Sequence, residues 1–269
     1  MHSLIDYFTN RKLTNLALTR YQQFAIERDW RIGGPDGKLR LYHLGHIAFD
    51  QGSPLPAAES AFREAYEIVR SWPGVQRGGS LAASDDVFSA IWLGAGNLIG
   101  GAVSLADITH PSLDSQTVER FLPALAFVKP TKRYPWMPVS KILHFCNPRL
   151  FPIWDWDIVW YRVMWEDAPF RGEYNAFCRE RGLKPTTDEP VFLLYYYLWA
   201  ASYIQSAAED FMVWFADWMD RHYHADLVST QTDRQVSTLY ATAFEFVAIG
   251  AAHLPHESKA FALISQTAD

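Results

Sequence analysis

The stretch Tyr134-Pro-Trp-Met-Pro-Val-Ser-Lys-Ile-Leu-His-Phe-Cys-Asn-Pro-Arg-Leu-Phe-Pro-Ile-Trp-Asp155 decides how the chain is organised. A turn bounded by proline leads into a short apolar helix that carries Lys141, because proline favours turns and the first helical positions. The Asn147-Pro148 dipeptide ends that helix, and a second break at Phe151-Pro152 brings Asp155 to the start of the next helix. The sequence therefore predicts that Lys141 and Asp155 each lie at a helix start, joined by a tight connection.

The segments on both sides of this stretch predict an all-α fold. A helix over 12–28 is indicated by apolar residues at helical spacing, namely Leu13, Ala17, Tyr21 and Phe24. Similar patterns predict helices around 62–69, 84–92, 114–122, 156–166, 170–182, 190–206, 211–218 and 233–247, the last of them started by Asp233. We expect about nine helices and no run of alternating strand residues. Residues 31–56 are rich in Gly and Pro and form a long connection, with room for a small hairpin near 31–45 around Leu39 and Leu41.

Length and composition are those of a globular protein. At 269 residues, with 49% apolar and 20% charged residues, the chain can form one helical domain over 1–269 or two packed lobes, 1–112 and 113–269. Two cysteines provide no disulfide framework, and the N-terminal residues lack the pattern of a signal peptide. The longest apolar run, residues 191–204, is too short to span a bilayer. We therefore expect a soluble, cytoplasmic protein without a membrane partner.

Several motifs that would indicate a cofactor, a metal or a hydrolase are incomplete or absent. The run Gly94-x-Gly-x-x-x-Gly100 invites a dinucleotide-binding interpretation, but it follows a helical pattern where that fingerprint requires a strand. Six of the nine histidines form three loose pairs, with no third ligand at a credible spacing: His43 with His46, His222 with His224, and His253 with His256. A Gly-x-Ser-x-Gly elbow and a phosphate-binding loop are also missing. The sequence therefore predicts no cofactor and no metal site.

Charge distinguishes the central stretch from the rest of the chain, whose net charge is −6. Residues 121–154 contain no acid, yet they carry Lys129, Lys132, Arg133, Lys141 and Arg149. Four further residues lie among these bases and offer stacking faces or a hydroxyl: Tyr134, Trp136, Ser140 and Trp154. A basic surface with interleaved aromatic rings suits a phosphate backbone and an exposed base. The alternative is that these bases form ion pairs with later acids such as Glu166 or Asp210.

The stretch from Ser140 to Asp155, Ser-Lys-Ile-Leu-His-Phe-x-x-Pro-x-Leu-Phe-Pro-Ile-Trp-Asp, resembles the core of the helix-hairpin-helix DNA glycosylase superfamily. In that family a turn leads into a helix bearing a lysine, and a short segment with proline delivers an aspartate to the next helix. The resemblance implies that Lys141 attacks the sugar carbon of a nucleotide and that Asp155 supports loss of the base. Where the family has a glycine-containing hairpin, this chain has Trp136-Met-Pro-Val-Ser140.

Two functions follow as expectations, and they belong to different classes. The first is a DNA-binding protein with a glycosylase-like core, whose catalytic pair for base excision would be Lys141 and Asp155. The second is a helical interaction protein without catalysis, whose aromatic surface holds another protein or its own copy. In the second case Asp155 is a helix cap and Lys141 is a solvated residue in a first turn.

Overall fold

The computed structural model describes residues 2–34, 36–49, 53–72, 75, 82–99, 104–107, 136–154, 168–184 and 190–254. This part of the chain contains ten α-helices and no strand, which confirms the all-α prediction. The helices are α1 Asp6–Thr9, α2 Arg11–Glu27, α3 Lys38–Phe49, α4 Leu55–Ser71, α5 Ser84–Ile99, α6 Trp136–Cys146, α7 Ala168–Glu180, α8 Pro190–Gln205, α9 Phe211–Ser229 and α10 Tyr240–Ala252, with short 3₁₀ helices at Leu105–Asp107 and Asp233–Thr238. The helices predicted over 114–122 and 156–166, and the predicted lobe boundary near 112, lie outside the described residues.

Local sequence explains where α2 begins and which face it buries. The Asn10 side chain accepts hydrogen bonds from the backbone N–H groups of Lys12 and Leu13, which have no partner within the helix. The predicted apolar face of α2 is buried, with Ala17 and Tyr21 both 0% exposed. Residues that recur every three or four positions therefore form the core side of this helix, as their spacing predicts.

The predicted hairpin near 31–45 is wrong, because α3 occupies Lys38–Phe49. Leu39 and Leu41 suggest strand alternation when they are taken alone, but both are buried on a helix. The start of α3 is fixed by the preceding loop, since the N–H groups of Lys38 and Leu39 donate to carbonyls of Arg31 and Ile32. The buried residues Leu41, Leu44 and Ala48 recur at helical spacing, and this longer pattern is the one that the segment follows.

The start of the last helix also differs from the prediction. Asp233 begins a 3₁₀ helix that extends to Thr238, and α10 begins only at Tyr240. The α10 helix is buried along nearly all of its length and packs against α2. A Cβ atom at Gly250 would collide with the backbone carbonyl of Ala17, so glycine allows the two helices to approach closely.

The packing around α10 places the central stretch of the sequence in the interior. Helix α3 packs against α4 and α6, and α8 packs against α10. One hydrophobic cluster extends from Tyr7 to Ala252 and includes buried residues of α6. Within the described ranges, no helix combines the length and the apolar character needed to cross a membrane.

Candidate functional site

The return segment, which we define as Phe151–Trp154, runs back along α6. His144 Nδ1 lies 2.6 Å from the Phe151 carbonyl oxygen, and Ser140 Oγ accepts a hydrogen bond from the Trp154 N–H at 2.9 Å. Ser140 lies one helical turn before His144, so the segment travels towards the start of α6 as its residue numbers rise. The residues immediately before Lys141 and Asp155 in the sequence are thus hydrogen-bonded to each other.

The turn between α6 and the return segment is held by backbone hydrogen bonds from distant elements. The Pro148 carbonyl accepts from the N–H of Thr242 in the first turn of α10, at 3.2 Å. The Arg149 carbonyl accepts from the Leu105 N–H at 3.0 Å. Further along, the Tyr196 hydroxyl of α8 donates to the Ile153 carbonyl at 2.9 Å. Three separate elements therefore satisfy carbonyl groups that the break in the helix leaves available.

Of the predicted catalytic pair, Lys141 and Asp155, only Lys141 lies within the described residues. Lys141 lies in the middle of α6, so the prediction that it stands at a helix start or in a first turn is wrong. It is half-buried, and its Nζ atom lies 5.3 Å from the centroid of the Trp72 ring. The negative face of an indole ring attracts an ammonium group, so this contact is of the cation–π type. Asp155, the other member of the pair, lies outside the described residues.

The residues predicted to contact nucleic acid fall into three groups. Ser140 and Trp154 are 0% and 1% exposed, so they belong to the core, and the prediction that they contact nucleic acid is corrected accordingly. Arg149 is half-buried, and Trp136 begins α6. The remaining four lie outside the described residues: Lys129, Lys132, Arg133 and Tyr134. The stacking role predicted for Trp154 is replaced by a structural one, because its backbone is bound to Ser140.

A second group of polar residues, which the sequence did not reveal, lies next to this unit. The buried polar cluster consists of Lys38, Glu245, Tyr21, Tyr42 and His144, each at most 5% exposed. Lys38 forms an ion pair with Glu245 and donates to the Tyr21 hydroxyl at 3.1 Å. His144 Nε2 lies 2.8 Å from the Tyr42 hydroxyl and 3.6 Å from a Glu245 carboxylate oxygen. The cluster therefore joins α2, α3, α6 and α10.

The geometry fixes the protonation of the central histidine. A carbonyl oxygen can only accept, so the contact with Phe151 places the proton of His144 on Nδ1. Nε2 is then the acceptor and receives the Tyr42 O–H. Burial, assisted by the charge of Lys38, lowers the pKa of His144 to about 3, while the bond to the Phe151 carbonyl acts in the opposite direction. His144 is thus a neutral imidazole with one donor and one acceptor.

The phenols of the cluster are also kept neutral. Burial and the Glu245 carboxylate raise the pKa of Tyr42 well above its usual value, and a hydrogen bond from Thr242 offsets only part of this effect. Burial and Glu245 raise the pKa of Tyr21 in the same way. The cluster consequently presents one ion pair surrounded by neutral hydrogen-bonding groups, an arrangement that keeps a buried charge pair solvated by the protein.

One sequence signal could have located this cluster. Glu245 is the single charged residue between Tyr240 and Ala252, within a helix that is apolar on all sides. A lone carboxylate in such a helix must find a partner in the interior. The partner itself could not be inferred, because Lys38 is 207 residues away in the sequence.

Other sequence candidates become parts of helices. Residues 94–99 of the glycine-rich run continue α5, so the element before them is a helix and the dinucleotide fingerprint has no strand to follow. Cys146 is buried at the end of α6, and burial raises the pKa of its thiol. In the ranges that the structure covers, no three His, Cys, Asp or Glu side chains form a group that could hold a metal ion.

Comparison with known proteins identifies no relative of this chain. No protein-family model, curated protein or solved structure matches the chain. Function is therefore inferred from the residues and their geometry alone.

Proposed function

We propose that the protein binds DNA through the basic stretch 129–149 and that Lys141 and Asp155 form a pair acting at the sugar of a damaged or abasic nucleotide. The observation that carries the pairing is the hydrogen bond from the Trp154 N–H to Ser140 Oγ. Because Ser140 precedes Lys141 and Trp154 precedes Asp155, this bond brings the backbone next to both residues together. It supports a common location for two side chains that are fourteen positions apart in the sequence.

Charge supports DNA as the ligand. A protein of net charge −6 does not attract a polyanion over its whole surface, so binding must depend on a local excess of bases. The acid-free stretch supplies this excess, since residues 121–154 include Lys129, Lys132, Arg133, Lys141 and Arg149 and no Asp or Glu. Phosphate contacts of this kind provide most of the affinity of nonspecific nucleic-acid binding.

The chemistry proposed for the pair requires an unprotonated Lys141 amine. Its lone pair forms a bond to the sugar carbon C1′, while the bond from C1′ to the base breaks and its electrons leave with the base, which takes up a proton. The nitrogen then loses a proton, and its lone pair forms the C=N bond while the C1′–O4′ bond breaks and O4′ takes up a proton. The resulting imine joins Lys141 to C1′ until water adds to C1′ and releases the amine. The Asp155 carboxylate would stabilise the positive charge that develops on the sugar. The reaction would also require the amine to move away from the Trp72 ring that it contacts in the described structure.

The rival function, a helical interaction protein with an aromatic surface, has less support in the described residues. There the exposed large apolar side chains are aliphatic: Ile26, Leu55, Val213 and Val228. Bulky aromatic side chains such as Tyr66, Trp218 and Phe192 are buried instead. This distribution favours an aromatic core over an aromatic docking surface in that part of the chain.

The binding proposal is tested by measuring the affinity for labelled single- and double-stranded DNA over a range of salt concentrations. Replacing Lys132 and Arg133 by Ala should weaken binding and reduce the slope of log K against log salt by about one unit for each lost phosphate contact. The matched control replaces the exposed residues Lys12 and Lys184 by Ala, which changes the net charge equally and should leave the slope unaltered. Absence of salt-sensitive binding by the wild-type protein would overturn the proposal.

A further inference from the structure

Two side chains of α6, Ser140 and His144, hold the return segment at its two ends. Ser140 binds the backbone of Trp154 near the end of the segment, and His144 binds the carbonyl of Phe151 at its beginning. The serine bond is local to this unit. The histidine bond is connected to the rest of the protein, because the other ring nitrogen of His144 contacts Tyr42 of α3.

The buried polar cluster determines which way the His144 ring can hydrogen-bond. Its Nε2 faces the Tyr42 hydroxyl at 2.8 Å and a Glu245 oxygen at 3.6 Å, while the ammonium of Lys38 neutralises the carboxylate. Tyr42 keeps its phenolic proton and has an acceptor in Nε2, so the ring proton is left on Nδ1. That proton points at the Phe151 carbonyl oxygen, to which the Nδ1–H group of His144 donates at 2.6 Å.

We propose that His144 is the positioning residue of the candidate site. Its Nδ1–H bond to Phe151 holds the return segment against α6 and so keeps Trp154 beside Ser140, the residue before Lys141. This role rests on the proposed function as far as it concerns Lys141 and Asp155. His144 does not touch substrate, because it is only 2% exposed. It acts through the backbone of Phe151–Trp154, and Tyr42 sets its tautomer by donating to Nε2.

Two substitutions, each of which mimics one ring nitrogen of His144, separate this role from ordinary core packing. In His144→Asn the amide nitrogen takes the place of Nδ1 and can still donate to the Phe151 carbonyl, but the acceptor for Tyr42 is lost. In His144→Gln the amide reaches the place of Nε2 and can still accept from Tyr42, but the donor to Phe151 is lost. Asn leaves the larger void, so global stability should fall at least as much in His144→Asn as in His144→Gln.

Hydrogen exchange of the Trp154 amide, followed by NMR or mass spectrometry, reports whether the return segment stays in place. We expect near wild-type protection in His144→Asn and exchange about 10- to 100-fold faster in His144→Gln, the range for loss of one buried hydrogen bond. A urea denaturation curve of each variant measures its global stability. We expect the order of the Trp154 exchange rates to differ from the order of these stabilities. Equal protection in both variants, or faster exchange in His144→Asn, would overturn the positioning role.

The tautomer provides a second, spectroscopic test in the unmodified protein. The ¹⁵N shifts of His144 at neutral pH should identify a protonated Nδ1 and an unprotonated Nε2. In Tyr42→Phe, which removes only the hydroxyl, Nε2 loses its donor, and we expect a measurable population of the other tautomer together with faster exchange at Trp154. A wild-type ring protonated on Nε2, or Tyr42→Phe without effect on either signal, contradicts the proposal.

A third measurement distinguishes failure of this inference from failure of the proposed function. Borohydride trapping on an abasic oligonucleotide, applied to the same variants, should give an adduct with wild type and His144→Asn and little with His144→Gln. If wild type gives no adduct, the glycosylase-like function is excluded, and the exchange difference still decides whether His144 positions the return segment. If both variants trap DNA as wild type does, His144 does not position the site.

Discussion

The ammonium group of Lys38 lies in the protein interior, since the residue is only 5% exposed. Its charge is compensated by the Glu245 carboxylate, by the Tyr21 hydroxyl and by the Phe246 ring, whose centroid lies 5.1 Å from Nζ. Removing one member of a buried ion pair leaves a charge without compensation, whereas replacing both by apolar residues of similar volume is often close to neutral. The two partners should therefore behave as a unit.

A double-mutant cycle tests this coupling. We expect Lys38→Met and Glu245→Met each to lower the free energy of unfolding by about 3–5 kcal/mol, and the double variant to lose clearly less than the sum of the two. Urea denaturation followed by tryptophan fluorescence measures all four proteins. Strict additivity would mean that the two residues contribute independently, against the geometry of the pair.

The depressed pKa of His144 predicts a loss of stability on mild acidification. The unfolded chain takes up a proton near pH 6.5, but the folded protein, in which the pKa of His144 is about 3, does not. The contribution of His144 to stability is therefore complete well above pH 6.5 and is lost progressively towards pH 3, by about 1.5 kcal/mol between pH 6.5 and 5. The groups that face the ring are Tyr42, Glu245, Lys38 and the Phe151 carbonyl.

The difference between wild type and His144→Asn isolates this contribution, because the other histidines titrate equally in both proteins. Chemical denaturation at pH 6.5 and 5 should show a smaller acid-induced loss in His144→Asn. An equal loss in the two proteins would show that His144 is protonated in the folded state at pH 5.

At the scale of helices, local sequence patterns predicted most of the helices that have a single apolar face. The face of α2 that contains Ala17 and Tyr21 is buried as its spacing predicts, and the breaks at Asn147 and Phe151 occur in the structure as α6 ends and the return segment begins. The prediction was wrong for α3, because Leu39 and Leu41 alone suggest strand alternation, whereas Leu41, Leu44 and Ala48 together have helical spacing.

The buried polar cluster could not be predicted for a different reason. His144 stands in the sequence between Leu143 and Phe145 and has the character of a residue on an apolar helix. Its partner Tyr42 is 102 residues away, on the segment that was predicted to be a hairpin. A polar network assembled from four helices depends on their packing, so its members are recognisable in the sequence only as lone polar residues among apolar ones.

Close contact between α3 and α6 predicts a strict requirement for glycine at position 45. A Cβ atom there would collide with the carbonyl oxygen of Phe145, next to His144. We expect Gly45→Ala to lower the free energy of unfolding by about 1–3 kcal/mol or more, because the backbone of a helix cannot yield as a side chain does. Thermal or urea denaturation measures the change.

Gly172 provides the matched control for this prediction. It lies exposed on α7, and a Cβ atom there would meet nothing within 4 Å. Gly172→Ala should be neutral or stabilising by up to about 1 kcal/mol, the difference in helix propensity. Equal destabilisation by both substitutions would contradict the role of Gly45 as a contact between helices.

At the scale of the whole molecule, the proposed function combines a negative net charge with one basic stretch. The charge of −6 disfavours DNA over the surface as a whole, so binding and chemistry must be concentrated in the same place if both occur. The return segment provides the physical link, because it leads from the Arg149 turn back to Ser140, beside Lys141. A lysine in this location would serve DNA binding as a cation and base excision as a nucleophile, and these two uses can be separated experimentally.

The last prediction makes this separation through three substitutions. Incubation of the protein with oligonucleotides that carry abasic sites or damaged bases, in the presence of borohydride, should reduce the imine to a permanent bond between Lys141 and the DNA. Lys141→Ala should abolish the adduct and weaken DNA binding, whereas Lys141→Arg should abolish the adduct but keep the binding, because arginine retains the charge and the contact with an aromatic ring.

Asp155→Asn keeps the size of the side chain and removes its charge. It should slow release of the base while leaving the adduct at preformed abasic sites, because the carboxylate is needed only while positive charge develops on the sugar. Denaturing gel electrophoresis resolves both products, and Lys184→Ala serves as the control for an exposed lysine outside the stretch. An adduct that persists in Lys141→Ala would identify a different nucleophile, and an Asp155→Asn variant with wild-type base release would leave the carboxylate as a helix cap.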